Sequence, residues 1–302
     1  MSNKTIKGTG TAMVTPFLAN GEIDYNATKR LIDYQIAGGI DMLVPLGTTG
    51  ENPTISNAER TRFLSFVIEY VARRVVIVVG TGSNDTRTSV AYTKEAYDLG
   101  ANGALVVTPY YNKPTPDGVF AHYSAVADVG LPILMYNLPG RTGLNMTAET
   151  TLRCSEIENV IGVKEASANM EQCMEIIRHA PQGFRLLSGE DNLTVPLIAV
   201  GAKGVISVTS NIVPGEFSRM VRFAMDGKFA EAKAIQYELY DLMRVMFIET
   251  NPGPVKSALA MMGMIGEYYR LPLVKLREEH RRKVREHLMQ LESIVVEELQ
   301  QE

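Results

Sequence analysis

VIGVKEASAN, residues 160–169, opens as a short apolar run of strand length and then meets a lysine. Runs of the same kind recur along the chain: AMV at 12–14, MLVP at 42–45, VVIVV at 75–79, ALVV at 104–107, PILMY at 132–136, FRLL at 184–187 and GVISV at 204–208. With VIGV at 160–163 they make eight. Several are too apolar for a sheet with one wet face and suit strands covered on both sides, as in a parallel sheet. Helical patterns separate them. Ser56 and Glu59 form a capping-box signature ahead of Phe63, Phe66, Val67 and Tyr70. Thr115-Pro116 sets an N-cap before a first-turn proline. Ala27, Leu31 and Tyr34 share one face after Asp24, and Gly38-Gly39, Gly100 and Gly227 stand where helices should stop.

Eight β/α units joined by right-handed crossovers predict an α/β fold, a (β/α)8 TIM barrel over residues 1–227. The competing doubly wound sheet lacks its nucleotide signal. GTG at 80–82 has no third glycine at the required offset, and no GK[ST] occurs. After Gly227 the strand signal ends. Helices over 228–248, about 254–265 and about 275 to the end predict a C-terminal helical appendage, 228–302.

Composition narrows the function classes. The chain has 302 residues, 45% of them hydrophobic, and a formal charge of −4. The acidic balance speaks against nucleic acid as a partner. No apolar run is long enough for a membrane span. The start, MSNKTIKGTGTAM, is polar and lacks a signal core, so a cytoplasmic protein is expected. Cys154 and Cys173 are two cysteines in a long chain, no disulfide framework, and are read as buried or semi-buried structural thiols. His122, His179, His280 and His287 are scattered, with no HExxH or CxxC, so no metal is expected.

In such barrels the chemistry gathers at the C-terminal strand ends. Here those ends carry GTTGE (47–51), TPYYNKP (108–114), Tyr136 with NLPGRTG (137–143), Lys164, SGED (188–191) and SVTSN (207–211). A lysine amine is protonated at neutral pH unless burial disfavours its charge; it then becomes a nucleophile that forms a Schiff base with a carbonyl. The plain alternative is a lysine paired with an acid. Tyr136 ends the neighbouring strand and offers a phenol to move protons. Gly47 and Gly50 flank Thr48 and Thr49 in a loop where backbone can approach a ligand. Arg141 is the fork-shaped partner for a substrate carboxylate, its alternative a surface salt bridge. Glu190-Asp191 would repel a phosphate in the loop where barrels usually bind one.

These motifs, with GVKEAS (162–167), GVISVTSN (204–211) and NPGPVK (251–256), resemble the 4-hydroxy-tetrahydrodipicolinate synthase family. That family belongs to the pyruvate-dependent class I aldolases, along with N-acetylneuraminate lyase. The resemblance runs from about residue 8 to about 290. It implies a lyase condensing pyruvate with L-aspartate 4-semialdehyde, without organic cofactor or metal, in a homotetramer built as a dimer of dimers. It also implies a role for each site residue. Lys164 forms the Schiff base, Tyr136 shuttles protons, Thr48 relays between tyrosines, and Tyr111 is lent across a dimer interface. Thr49 binds the pyruvate carboxylate, Gly189 and Ile206 line the pyruvate pocket, and Arg141 binds the carboxylate of the semialdehyde. Lyases acting on N-acetylneuraminate or 2-keto-3-deoxy sugar acids, the alternative reading, generally lack this arginine. Family members strongly inhibited by lysine commonly carry a histidine and a glutamate where this chain has Asn57 and Thr88, so weak or absent inhibition is expected. Asn84 and Tyr110 match other residues of that site.

Overall fold

The computed structural model describes residues 6–291. Among them, eight parallel strands close into a barrel in the order β1 to β8. The strands are β1 (Gly8–Ala12), β2 (Met42–Val44), β3 (Val76–Gly80), β4 (Gly103–Val107), β5 (Ile133–Asn137), β6 (Val160–Glu165), β7 (Arg185–Ser188) and β8 (Gly204–Ser207). Helices wrap the outside. The larger ones between strands are Tyr25–Ala37, Asn57–Val71, Thr86–Asp98, Pro116–Ala127 and Met170–His179.

Seven strands fall on the expected apolar runs; the first does not. The run at 12–14 overlaps the strand only at Ala12, and the paired segment is GTGTA at 8–12. Its threonines are fully buried, and long-range bonds satisfy one of them. Thr11 Oγ1 donates to Gln35 Oε1 at 2.7 Å and accepts from Ser210 Oγ at 2.9 Å. Small residues suit this strand because its neighbours crowd it. A Cβ on Gly10 would lie 2.7 Å from Met42 Cγ.

The helical expectations hold in detail at two N-termini. Ser56 and Glu59 complete the capping box, and Thr115 caps the helix that starts with Pro116. In the C-terminal region the helix expected over 228–248 is two, Phe229–Glu238 and Tyr240–Val245, which meet at the fully buried Leu239. Gly253–Met261 and Glu278–Met289 follow; the end of the expected last helix lies outside the described residues.

The apolar residues divide by layer. Met42, Val44, Val78, Leu105, Leu134, Tyr136, Leu187 and Ile206 share a cluster inside the barrel. A larger shell lies between strands and helices. A third cluster joins Ala27 and Leu31 to Phe217, Leu242, Val255, Leu259 and Leu288. The C-terminal helices therefore pack on the first and last helices of the barrel rather than standing apart. No described helix is long and apolar enough to cross a membrane.

Candidate active site at the barrel mouth

Strand alternation decides which way each side chain of VIGVKE points. Leu134 and Tyr136 of β5 face the interior, and their register partners on β6 are Gly162 and Lys164. Lys164 therefore faces inward beside Tyr136. Its Nζ overlies the phenol ring, 4.2 Å from the centroid, and both residues are about 5% exposed (Lys164 5%, Tyr136 6%). Among the described residues Lys164 forms no direct ion pair, although Glu190 and Asp191 lie near enough to feel its charge.

Glu165 points the other way, as alternation requires. Its carboxylate accepts from Asn137 Nδ2, Gln172 Nε2 and the Ser167 N–H at 2.8–3.0 Å beneath the helix layer. It neutralises nothing at Lys164 directly; it locks the end of the strand that carries the lysine.

Gly189 follows β7, and its N–H bonds Glu165 O at 2.7 Å. A Cβ there would lie 2.6 Å from Ala166 Cβ and 3.1 Å from Lys164 Cε. The glycine leaves the space that the lysine stem fills. Ile206, 1% exposed, belongs to the same interior cluster as Tyr136, Ala166 and Leu187.

The neighbouring carboxyls feel this environment. Burial, with Asp191 adding, pushes Glu190 up to about 7, against the opposing pull of Lys164. Burial also raises Asp191, although its Oδ2 accepts the Thr209 N–H at 2.7 Å and the Val208 N–H at 3.2 Å. Asp191 thus ties the loop after β7 to the loop after β8.

A cavity of about 350 Å³ opens at this end of the barrel. Gly47, Thr48, Glu51, Tyr136, Leu138 and Arg141 line it, with Tyr110, Thr250, Asn251 and Leu273. Lys164 is not among the lining residues; its Nζ lies over the Tyr136 ring, which is. The GTTGE loop is a tight turn in which Gly50 N–H bonds Gly47 O and Glu51 N–H bonds Thr48 O, both at 3.1 Å. Gly50 is needed sterically, since a Cβ would lie 3.1 Å from Leu46 N; Gly47 meets nothing within 4 Å. The turn exposes Thr48 to the cavity and buries Thr49, 3% exposed.

Arg141 follows β5 in a short helix, Pro139–Thr142. Its Nη2 donates to Asn251 O at 2.8 Å. Among the described residues it forms no ion pair, so the rest of its fork is open to a carboxylate. Of the expected residues, Thr48, Tyr136 and Arg141 line the cavity; Lys164, Thr49, Gly189 and Ile206 are not among its lining residues, and neither is Tyr111. Tyr111 is 88% exposed, with a left-handed φ of 70°, while Tyr110 beside it lines the cavity.

Two features went unassigned in the sequence. Asn251 lines the cavity, and Lys256 forms a buried ion pair with Glu51 at 2.6 Å. Both lie in NPGPVK, which matched a motif without a stated role.

Comparison with known proteins points the same way. Residues 5–291 match the model of the dihydrodipicolinate synthetase family. The 4-hydroxy-tetrahydrodipicolinate synthase of Syntrophotalea carbinolica is 48% identical over 274 residues, 90% of this chain and 94% of that one. That of Parabacteroides distasonis is 47% identical over 293 residues, 96% and 99% of the two chains. The crystal structure of the Aquifex aeolicus dihydrodipicolinate synthase superposes with a TM-score of 0.92 at 43% identity, covering 94% of this chain and 97% of that one. The Acinetobacter baumannii enzyme, solved in complex with pyruvate, gives 0.93 at 39% identity over 95% and 99%.

Proposed function

The chain belongs to the dihydrodipicolinate synthetase family and acts as a 4-hydroxy-tetrahydrodipicolinate synthase, a lyase, and we propose that it joins pyruvate to L-aspartate 4-semialdehyde through an imine on Lys164. The observation that carries this is Lys164 itself, buried, in no direct ion pair among the described residues, and held over the Tyr136 ring.

The Lys164 amine adds to the pyruvate carbonyl and water leaves, giving the imine. Loss of a proton from the pyruvate methyl gives an enamine, whose carbon attacks the aldehyde of the second substrate. The amino group of that substrate then adds to the imine carbon and displaces Lys164, closing the ring. One water is lost overall. Tyr136 moves protons to and from the carbinolamine, with Thr48 beside it in the cavity. Thr49 binds the pyruvate carboxylate and Arg141 that of the semialdehyde, while Gly189 and Ile206 shape the pocket around the lysine stem. Tyr111, too exposed to serve its own chain, completes the relay of a neighbouring copy in a homotetramer. This condensation would place the protein in the diaminopimelate route to lysine.

A coupled assay with pyruvate and L-aspartate 4-semialdehyde tests the reading. Turnover is expected with that pair and not in cleavage of N-acetylneuraminate or 2-keto-3-deoxy sugar acids. Turnover of a sugar acid with none of the semialdehyde would overturn it.

A further inference from the structure

Thr49 and Arg141 stand in loops after β2 and β5, at the two substrate ends of the proposed site. One residue from the C-terminal region touches both. Asn251 Nδ2 donates to Thr49 Oγ1 at 2.9 Å, and Asn251 O accepts from Arg141 Nη2 at 2.8 Å. Asn251 is buried, and its segment is fastened to the same loop a second time by Lys256 and Glu51. We propose that Asn251 is a positioning residue that sets the direction of the Thr49 hydroxyl and the plane of the Arg141 guanidinium.

A hydroxyl has one hydrogen and two lone pairs. With one lone pair of Thr49 occupied by the Asn251 amide, its hydrogen cannot point back at Asn251, since an NH2 group accepts nothing. It is left to be donated to a ligand carboxylate. At the other end, the main-chain carbonyl takes one N–H of Arg141 and leaves four for the second substrate. The side chain thus serves the pyruvate end and the backbone the semialdehyde end. The inference rests on the functional reading above, in which Thr49 meets pyruvate.

The split is testable. Asn251→Ala removes the donor but keeps the carbonyl. Asn251→Asp offers only acceptors, so the Thr49 hydrogen turns toward it and away from the ligand. The readout is the pyruvate concentration giving half-maximal borohydride trapping on Lys164, measured beside the KM for the semialdehyde. Asn251→Ala should raise the pyruvate requirement roughly tenfold and Asn251→Asp further, as expected for losing a hydrogen bond to a charged group. The semialdehyde KM should stay within about threefold in Asn251→Ala, because the Arg141 contact persists. In a Thr49→Val background the hydrogen-direction effect vanishes, so the gap between Asp and Ala should shrink to whatever added charge alone contributes.

An Asp variant milder than Ala would mean that Thr49 donates to Asn251, and would overturn the proposal. So would a gap unchanged in Thr49→Val, or equal losses for both substrates. If wild-type protein traps no pyruvate, the functional reading fails instead.

Discussion

Replacing Gly189 by alanine sets a methyl group 2.6 Å from Ala166 Cβ, 3.0 Å from Glu165 O and 3.1 Å from Lys164 Cε. Carbon atoms rest about 3.5–4.0 Å apart, so the first of these contacts cannot stand. Ala166 has no flexible stem to move, and the Gly189 N–H is bonded to Glu165 O at 2.7 Å, so the loop cannot simply lift away. The most mobile neighbour is the Lys164 stem. Overpacking of this kind costs about 1–3 kcal/mol, a fall of several degrees in Tm for a chain of this size. The larger effect is on chemistry, since displacing a reacting group by about 1 Å can slow a reaction about 100-fold. Gly189→Ala should therefore lose much more in the rate of borohydride trapping at saturating pyruvate than in urea stability. Gly215→Ala is the control: its Cβ meets nothing within 4 Å, and it should be near neutral. Wild-type trapping rate and stability in Gly189→Ala would refute the packing argument.

Burial pulls the His122 imidazole from 6.5 down to about 4, against the opposing pull of Asp85. A folded value below the unfolded one means stability that is complete above about pH 6.5 and lost as pH falls toward 4. Urea unfolding of wild type against His122→Leu should show that difference growing by up to about 3 kcal/mol across the window; parallel curves would refute it. Lys256→Met strands the Glu51 carboxylate in the interior and should cost about 3–5 kcal/mol, most of it regained in Glu51→Gln with Lys256→Met. Equal stability of the single and double variants would show the pair to be uncoupled. Lysine should inhibit weakly or not at all. Thr88 spends its hydroxyl on Asp85 at 2.7 Å and Asn57 accepts from Tyr92 at 2.8 Å, so neither offers a carboxylate to an ammonium. Strong inhibition at sub-millimolar lysine in the coupled assay would contradict this.

Local signals were legible wherever local physics decides. The apolar run at 160–163 told of a strand covered on both faces, and strand alternation puts Lys164 and Glu165 on opposite sides of it. Ser56 with Glu59 and Thr115 with Pro116 marked helix starts because a cap is a contact between near neighbours. The first strand escaped because GTGTA is buried through bonds its sequence neighbours do not make: Thr11 reaches Gln35, 24 residues on, and Ser210, 199 residues on. Asn251 escaped for the same reason, standing 202 residues from Thr49 and 110 from Arg141. Its motif marked the segment, but only the closed barrel brings that segment to the mouth. Gly189 was assigned to the pocket by resemblance; the steric reason, room for the Lys164 stem, is visible only once β6 and β7 are paired.

The central claim is that pyruvate forms a covalent imine on Lys164. Incubation with pyruvate and borohydride reduces an imine to a stable secondary amine, and peptide mapping locates the added mass. One reduced pyruvate unit per chain is expected on Lys164, with turnover abolished. Lys164→Arg, which keeps the positive charge but cannot form an imine, should lose both trapping and nearly all activity. A label on Lys113, Lys203 or Lys256, or activity surviving in Lys164→Arg, would contradict the account.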